Sequence, residues 1–269
     1  MLSKEECKKA TTKWKDIIKK WQRENANVEE INKIINPSAV FNFTVKDCNW
    51  LKDNIKHRNS NFHAYAGVHD HKFILIMVPL HEDGTEKDNL KEYPTVKLTD
   101  LTSEITLTQK DVVTTTTETT LSEDLEVIER SKNISLPTYS HPTIKEKDSI
   151  KEIDSIKEIV KWKNECLEWF SFMCSSKRKR KKIFTSFSVP LADLPLSDEG
   201  AVALFGFKRS SIYKMQIPIL VFVNITHKTN TKKMAKSEEK RTTPSIETNT
   251  KNWSHPCPSY ANKNFSIFN

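Results

Sequence analysis

The run Ala64-Tyr65-Ala66-Gly67-Val68 returns in pattern as Ala203-Leu204-Phe205-Gly206-Phe207, and the two glycines in these runs are two of only four in the chain. A glycine inside a strand marks a bulge or a close approach by another part of the backbone. A chain that keeps one at the same place in two strands is therefore constrained to build two similar backbones around them. The surrounding order recurs as well. Each run follows a Trp-containing amphipathic helix and a strand, and each is followed by a more apolar strand. Residues 40–45, where Phe41, Phe43 and Val45 alternate with polar side chains as a half-buried strand requires, are echoed by residues 183–189. Leu191, Asp193 and Leu194 stand where Asp47, Trp50 and Leu51 do, and the apolar run 73–78 is echoed by 217–223. Phe43 precedes Gly67 by 24 residues and Phe187 precedes Gly206 by 19, so the match is one of order and pattern.

This pattern predicts an α+β fold of two similar helix-plus-antiparallel-sheet units related by internal duplication. The first unit occupies residues 1–81 and the second residues 148–226. Between them lies a Thr-rich, acidic insert or linker, 82–147, and a basic, mostly disordered tail follows at 227–269.

Local signals support the units. Cys7, Ala10, Trp14, Ile17, Ile18 and Trp21 recur at spacings of three and four, which makes one apolar helix face. Ser3 is placed to cap that helix, with Glu5 and Glu6 in its first turn. Asp47 is read as the cap of a short helix holding Trp50, Leu51 and Ile55. Residues 62–68 and 72–78 read as strands joined by a tight turn at His69-Asp70-His71. Residues 73–80 are apolar without alternation, which predicts a central strand covered on both faces. In the insert, Ile105 and Leu107 alternate with threonines, a pattern suited to a peripheral hairpin. Residues 148–159 repeat a six-residue unit that leads into a helix ending near Phe172.

Charge is unevenly spread. The chain carries +8, yet residues 82–130 hold 13 acidic and 5 basic side chains, leaving +16 on the rest. A basic body of this kind attracts polyanions. The five cysteines are odd in number, widely spaced and without a C-x-x-C pair, so neither a disulfide framework nor a zinc knuckle is indicated and a cytoplasmic setting is expected. The chain opens without an apolar stretch of signal-peptide length. Its longest strongly apolar run, 73–80, is far short of the roughly 20 residues that span a bilayer, so no membrane association is expected.

Three functional readings follow. The absence of catalytic motifs and of a Gly-rich phosphate loop favours a non-enzymatic interaction or scaffold protein with a protein partner, and no cofactor is implied. The run Lys177, Arg178, Lys179, Arg180, Lys181 and Lys182 sits between a helix and a strand and is suited to neutralising several phosphates, which makes nucleic acid the second candidate partner. Phe184 and Phe187 nearby read as core residues. Third, the histidine-rich hairpin over residues 63–81 would hold zinc, and so a metal-dependent enzyme, if it brought His63, His69 and His71 together. Cys166 and Cys174 read as small buried hydrophobes.

Overall fold

A computed structural model of the chain describes residues 1–24, 28–55, 61–100, 105–110, 116–121, 127–132, 155–191, 194, 200–209, 215–224, 255–257 and 267–268, with 22, 24, 105–110, 116–121, 127–132, 155–157, 223–224 and 255–257 as backbone only. In chain order the elements are β1 (Leu2–Ser3), α1 (Lys4–Glu24), α2 (Val28–Ile34), β2 (Val40–Phe43), α3 (Val45–Asn54), β3 (Asn61–His69), β4 (Lys72–Pro79), β5 (Glu92–Tyr93) and β6 (Thr95–Thr99). They continue with β7 (Ile105–Lys110), β8 (Thr116–Leu121), β9 (Val127–Lys132), α4 (Ser155–Cys174), α5 (Lys177–Arg180), β10 (Ser186–Pro190), β11 (Ala201–Arg209), β12 (Gln216–Asn224) and β13 (His255–Cys257). Helices and antiparallel sheets together make the fold α+β.

One antiparallel sheet of eight strands organises the molecule, in the order β12-β11-β2-β6-β4-β3-β10-β13. It curls until its terminal strands β12 and β13 come into contact, which covers edges that would otherwise offer unpaired backbone groups. The first strand of each half lies against the second strand of the other. Phe41 of β2 pairs with Ala203 of β11, and Phe187 of β10 pairs with Ala64 of β3. Ala64 and Ala203 each stand three residues before their glycine, so Phe41 and Phe187 occupy equivalent registers. The sequence pattern set Phe43 opposite Phe187, two residues away. A two-residue slip keeps every side chain on the same face, so hydrophobic alternation alone cannot detect it.

The glycines sit where helices approach. A Cβ on Gly67 would lie 3.1 Å from the Cβ of Ala10 in α1, and one on Gly206 would lie 3.3 Å from the Cβ of Glu158 in α4. Further along the helices, Trp14 and Trp162 enter the main core. Trp14 meets Phe73 edge-on at 5.1 Å and Trp162 stacks on Phe205 at 4.5 Å, while Phe170 touches both indoles. Alternation along β3 and β4 sends Ala64, Ala66, Val68, Phe73, Leu75 and Met77 into this core. Tyr65, Ile74, Ile76 and Val78 on the opposite face join Cys7, Ala10, Tyr93 and Phe268 in a second cluster. β4 is thus buried on both faces.

Local chemistry explains the ends of the elements. The Glu6 backbone N–H donates to Ser3 Oγ at 3.3 Å while the Ser3 N–H donates to Glu6 Oε2 at 2.9 Å. The second of these bonds, followed by that from the Ser3 hydroxyl, holds the Glu6 carboxyl below its usual pKa. α3 is capped by Thr44, with Asp47 returning a bond from the third helical position in a full capping box. The sequence pattern had placed the cap at Asp47 itself. In the β3–β4 hairpin the two turn residues, Asp70 and His71, both adopt left-handed backbone, φ 47° and 61°, as the twist of a two-residue hairpin demands.

The segment assigned to the insert begins as part of the main sheet. β6 alternates Thr95, Val96, Lys97, Leu98 and Thr99, burying Val96 and Leu98, and it bridges β2 and β4 at the sheet's centre. β7, β8 and β9 form a separate three-stranded antiparallel sheet. The first copy of the six-residue repeat, 148–153, lies outside the described residues, and α4 starts within the second. Of the tail, β13 pairs with β10, and Phe268 is buried.

Candidate functional site

The six cations fall on one turn and its flanks. Ser175 and Ser176 break α4 from α5; the Ser176 hydroxyl accepts the Lys179 backbone N–H at 3.3 Å, and Lys181 closes the helix. Ile183 and Phe184 then bury, and the Phe184 carbonyl accepts the indole N–H of Trp14 at 3.0 Å. That bond fixes the end of the basic run against the middle of α1, and α5 packs on both α1 and α4. Lys177, Arg178 and Lys181 are exposed; Lys179, Arg180 and Lys182 are half-buried.

Lys179 folds back over an aromatic ring. Its Nζ lies 3.5 Å from the centroid of Phe172 and donates to Ser175 Oγ at 3.2 Å. Phe172 is 57% exposed, unusual for a phenylalanine near the end of a core helix. Phe184 and Phe187 are buried, as their pattern indicated. Phe172 was not singled out from sequence, although its signal is present. Phe170 points into the core, and a residue two positions further along a helix falls on the opposite side.

α1 adds a second set of cations. Lys8, Lys9, Lys13, Lys19 and Lys20 are exposed, and Lys8, Lys9, Lys13 and Lys20 border a shallow depression on the helix with Asp16. Burial first, and then the charges of Lys19 and Lys8, pull the half-buried Lys15 ammonium below its usual pKa. Part of the charge is answered locally, since Lys19 pairs with Asp16 at 2.9 Å and Lys20 with Glu30 at 3.7 Å.

The three histidines do not converge. His63 and His69 are six residues apart on one strand, about 20 Å at the rise of a β-strand. His69 and His71 flank the turn, where His69 Nε2 lies 3.2 Å from an Asp70 carboxylate oxygen. His63 is buried at the other end of β3, its Nδ1 2.6 Å from Glu86 Oε1. His57 lies outside the described residues, and among the described residues no group of three His, Cys, Asp or Glu side chains is placed to hold a metal ion.

Cys7, Cys48, Cys166 and Cys174 are buried free thiols. Burial pushes Cys7 up to about 12 and Cys48 and Cys174 up to about 11, and raises Cys166 as well, which keeps them protonated and poorly nucleophilic at neutral pH. Among the described residues no helix is long and apolar enough to cross a membrane. Comparison with protein families, with curated proteins and with solved structures finds no match for this chain.

Proposed function

We propose that this protein works by binding, and that its partner is single-stranded nucleic acid met on the surface formed by α5, the end of α4 and the outer face of α1. The observation that carries this reading is the exposed Phe172 ring beside six consecutive cations. Cations alone would suit any polyanion, including an acidic protein. An exposed aromatic side chain among them adds a platform on which a base can stack, and stacking on protein aromatics is a general mode of single-strand binding. Phosphates would lie against Lys177, Arg178 and Lys181 and continue toward the lysines of α1.

Beneath this surface, the reading includes an ancient duplication. The glycines facing α1 and α4, the paired indoles and the reciprocal exchange of first strands support it. On this view the duplicated framework is architecture, and binding arises from a run present in one half only. The buried free thiols are consistent with a reducing, cytoplasmic setting.

The test is fluorescence anisotropy on the whole chain with a labelled mixed-sequence RNA single strand, repeated across a salt series. Affinity is expected to fall linearly with log salt, and the slope to flatten by about one unit for each phosphate-contacting cation replaced. Binding that persists in a chain carrying Lys177→Gln, Arg178→Gln and Lys181→Gln sinks the proposal. Preference for an acidic peptide over RNA would reassign the surface to a protein partner.

A further inference from the structure

On the face of β3 and β4 that carries the second cluster, parts of the chain remote in sequence meet at one buried carboxylate. Glu86 lies in the stretch between β4 and β5, its side chain 1% exposed. Oε1 lies 2.6 Å from His63 Nδ1 and accepts from the Tyr65 hydroxyl at 2.6 Å. Oε2 accepts the backbone N–H of Ile267 at 2.9 Å. The next residue, Phe268, is 1% exposed, its ring edge-on to Tyr65 at 5.0 Å and to Tyr93 at 5.5 Å. Tyr93 is itself held by donating its hydroxyl to the Lys87 carbonyl at 3.0 Å.

Two contacts therefore read the incoming segment: a carboxylate takes one backbone N–H, and a slot between two tyrosines takes the following aromatic ring. The slot itself is built from β3, the stretch after β4, and β5, which pairs with β1 beside the main sheet. Phe268, with Ile267 packed beside it, belongs to the second cluster and not to the main core. A short segment that lies outside the main core can open locally without global unfolding.

We propose that the slot formed by Tyr65, Glu86 and Tyr93 is a peptide-binding site that Ile267–Phe268 occupies in cis. Its ligand class is an extended peptide that presents a backbone N–H to Glu86 and an aromatic side chain at the next position. An incoming peptide of this kind competes with the chain's own segment, so the segment sets the threshold for binding, as an intramolecular competitor at high effective concentration does.

The probe is a fluorescein-labelled peptide of residues 262–269, Asn-Lys-Asn-Phe-Ser-Ile-Phe-Asn. It is titrated against the full chain, against a Phe268→Ala chain and against an Ile267→Pro chain, which keeps the ring and removes the donor. Both variants are expected to melt cooperatively and to bind the peptide at least about tenfold more tightly than the unaltered chain. A peptide N-methylated at the residue that precedes its second Phe is expected to lose most of this binding, because it has no N–H for Glu86. Equal binding to all three chains overturns the proposal, as does no binding to either variant. If both variants fail to fold, the segment is core rather than an exchangeable occupant, which also overturns it.

Discussion

Helix α1 passes β3 at Gly67, with the backbone and Cβ of Ala10 against the glycine, and one turn later Trp14 donates its indole N–H to the Phe184 carbonyl. Helix α4 passes β11 at Gly206, where the three nearest atoms are side-chain carbons of Glu158, Ile219 and Val221, and one turn later Trp162 stacks on Phe205. The Trp162 indole N–H has no hydrogen-bond partner among the described residues. The two crossings solve one packing problem differently: nearest the first glycine are backbone atoms and the Cβ of Ala10, nearest the second the Cβ of Glu158 and branch carbons of Ile219 and Val221. The looser half is also the one that ends in an exposed Phe172 and six cations. The surface proposed to bind is therefore centred on the looser half and reaches the tighter one only through the lysines on the outer face of α1.

The largest expected effect tests that placement. Replacing Lys177, Arg178 and Lys181 by Gln should weaken RNA binding by at least about tenfold at low salt. Replacing Lys8, Lys9 and Lys13 of α1 should cost markedly less, and equal losses from the two sets, measured by anisotropy, would erase the functional asymmetry. Phe172→Ala should weaken the same binding by about 1–3 kcal/mol while leaving its salt slope unchanged.

Next come the glycines. Gly67→Ala should destabilise by about 2 kcal/mol, because its new methyl meets backbone atoms of α1 at 3.2 Å, whereas Gly206→Ala should cost somewhat less because its nearest atoms, all at 3.3 Å, are side-chain carbons. Urea denaturation of the two variants measures the difference, and a reversed order would break the comparison. Trp14→Phe should cost more than Trp162→Phe by about 1 kcal/mol, since only the first strands a buried carbonyl that had a donor. Thermal melts read this contrast directly. Smallest is the hairpin turn, where His71→Gly relieves a left-handed backbone at a residue with a Cβ and should raise stability by up to about 1 kcal/mol. A lowered melting temperature would show that the His71 side chain contributes more than its backbone costs.

Much of the framework was legible from residues alone, for physical reasons that act locally. The 3.6-residue period of Cys7, Ala10, Trp14, Ile17, Ile18 and Trp21 is written by burial of one helix face, and α1 buries all of these but Ile17, which is half-buried, and Thr11 besides. The uninterrupted apolar run of β4 needs cover on both sides, and finds it. Of the matched glycines, Gly67 marks a close backbone approach, while the atoms nearest Gly206 belong to side chains. The candidate site was legible in part: the cations were evident as a run, whereas Phe172 was hidden among the other apolar residues of α4.

What the sequence could not determine was which strand meets which. β6 was hidden because an acidic, Thr-rich composition masked five well-alternating residues. His63 looked like a ligand with His69 and His71, until the length of one strand put them about 20 Å apart and gave it Glu86 instead. Residue type and period fix what a segment can bury, because those forces act within a few residues. Partners such as Trp14 with Phe184, or Glu86 with Ile267, are chosen only when the whole sheet curls and brings distant segments to one place, so tertiary structure alone decided them.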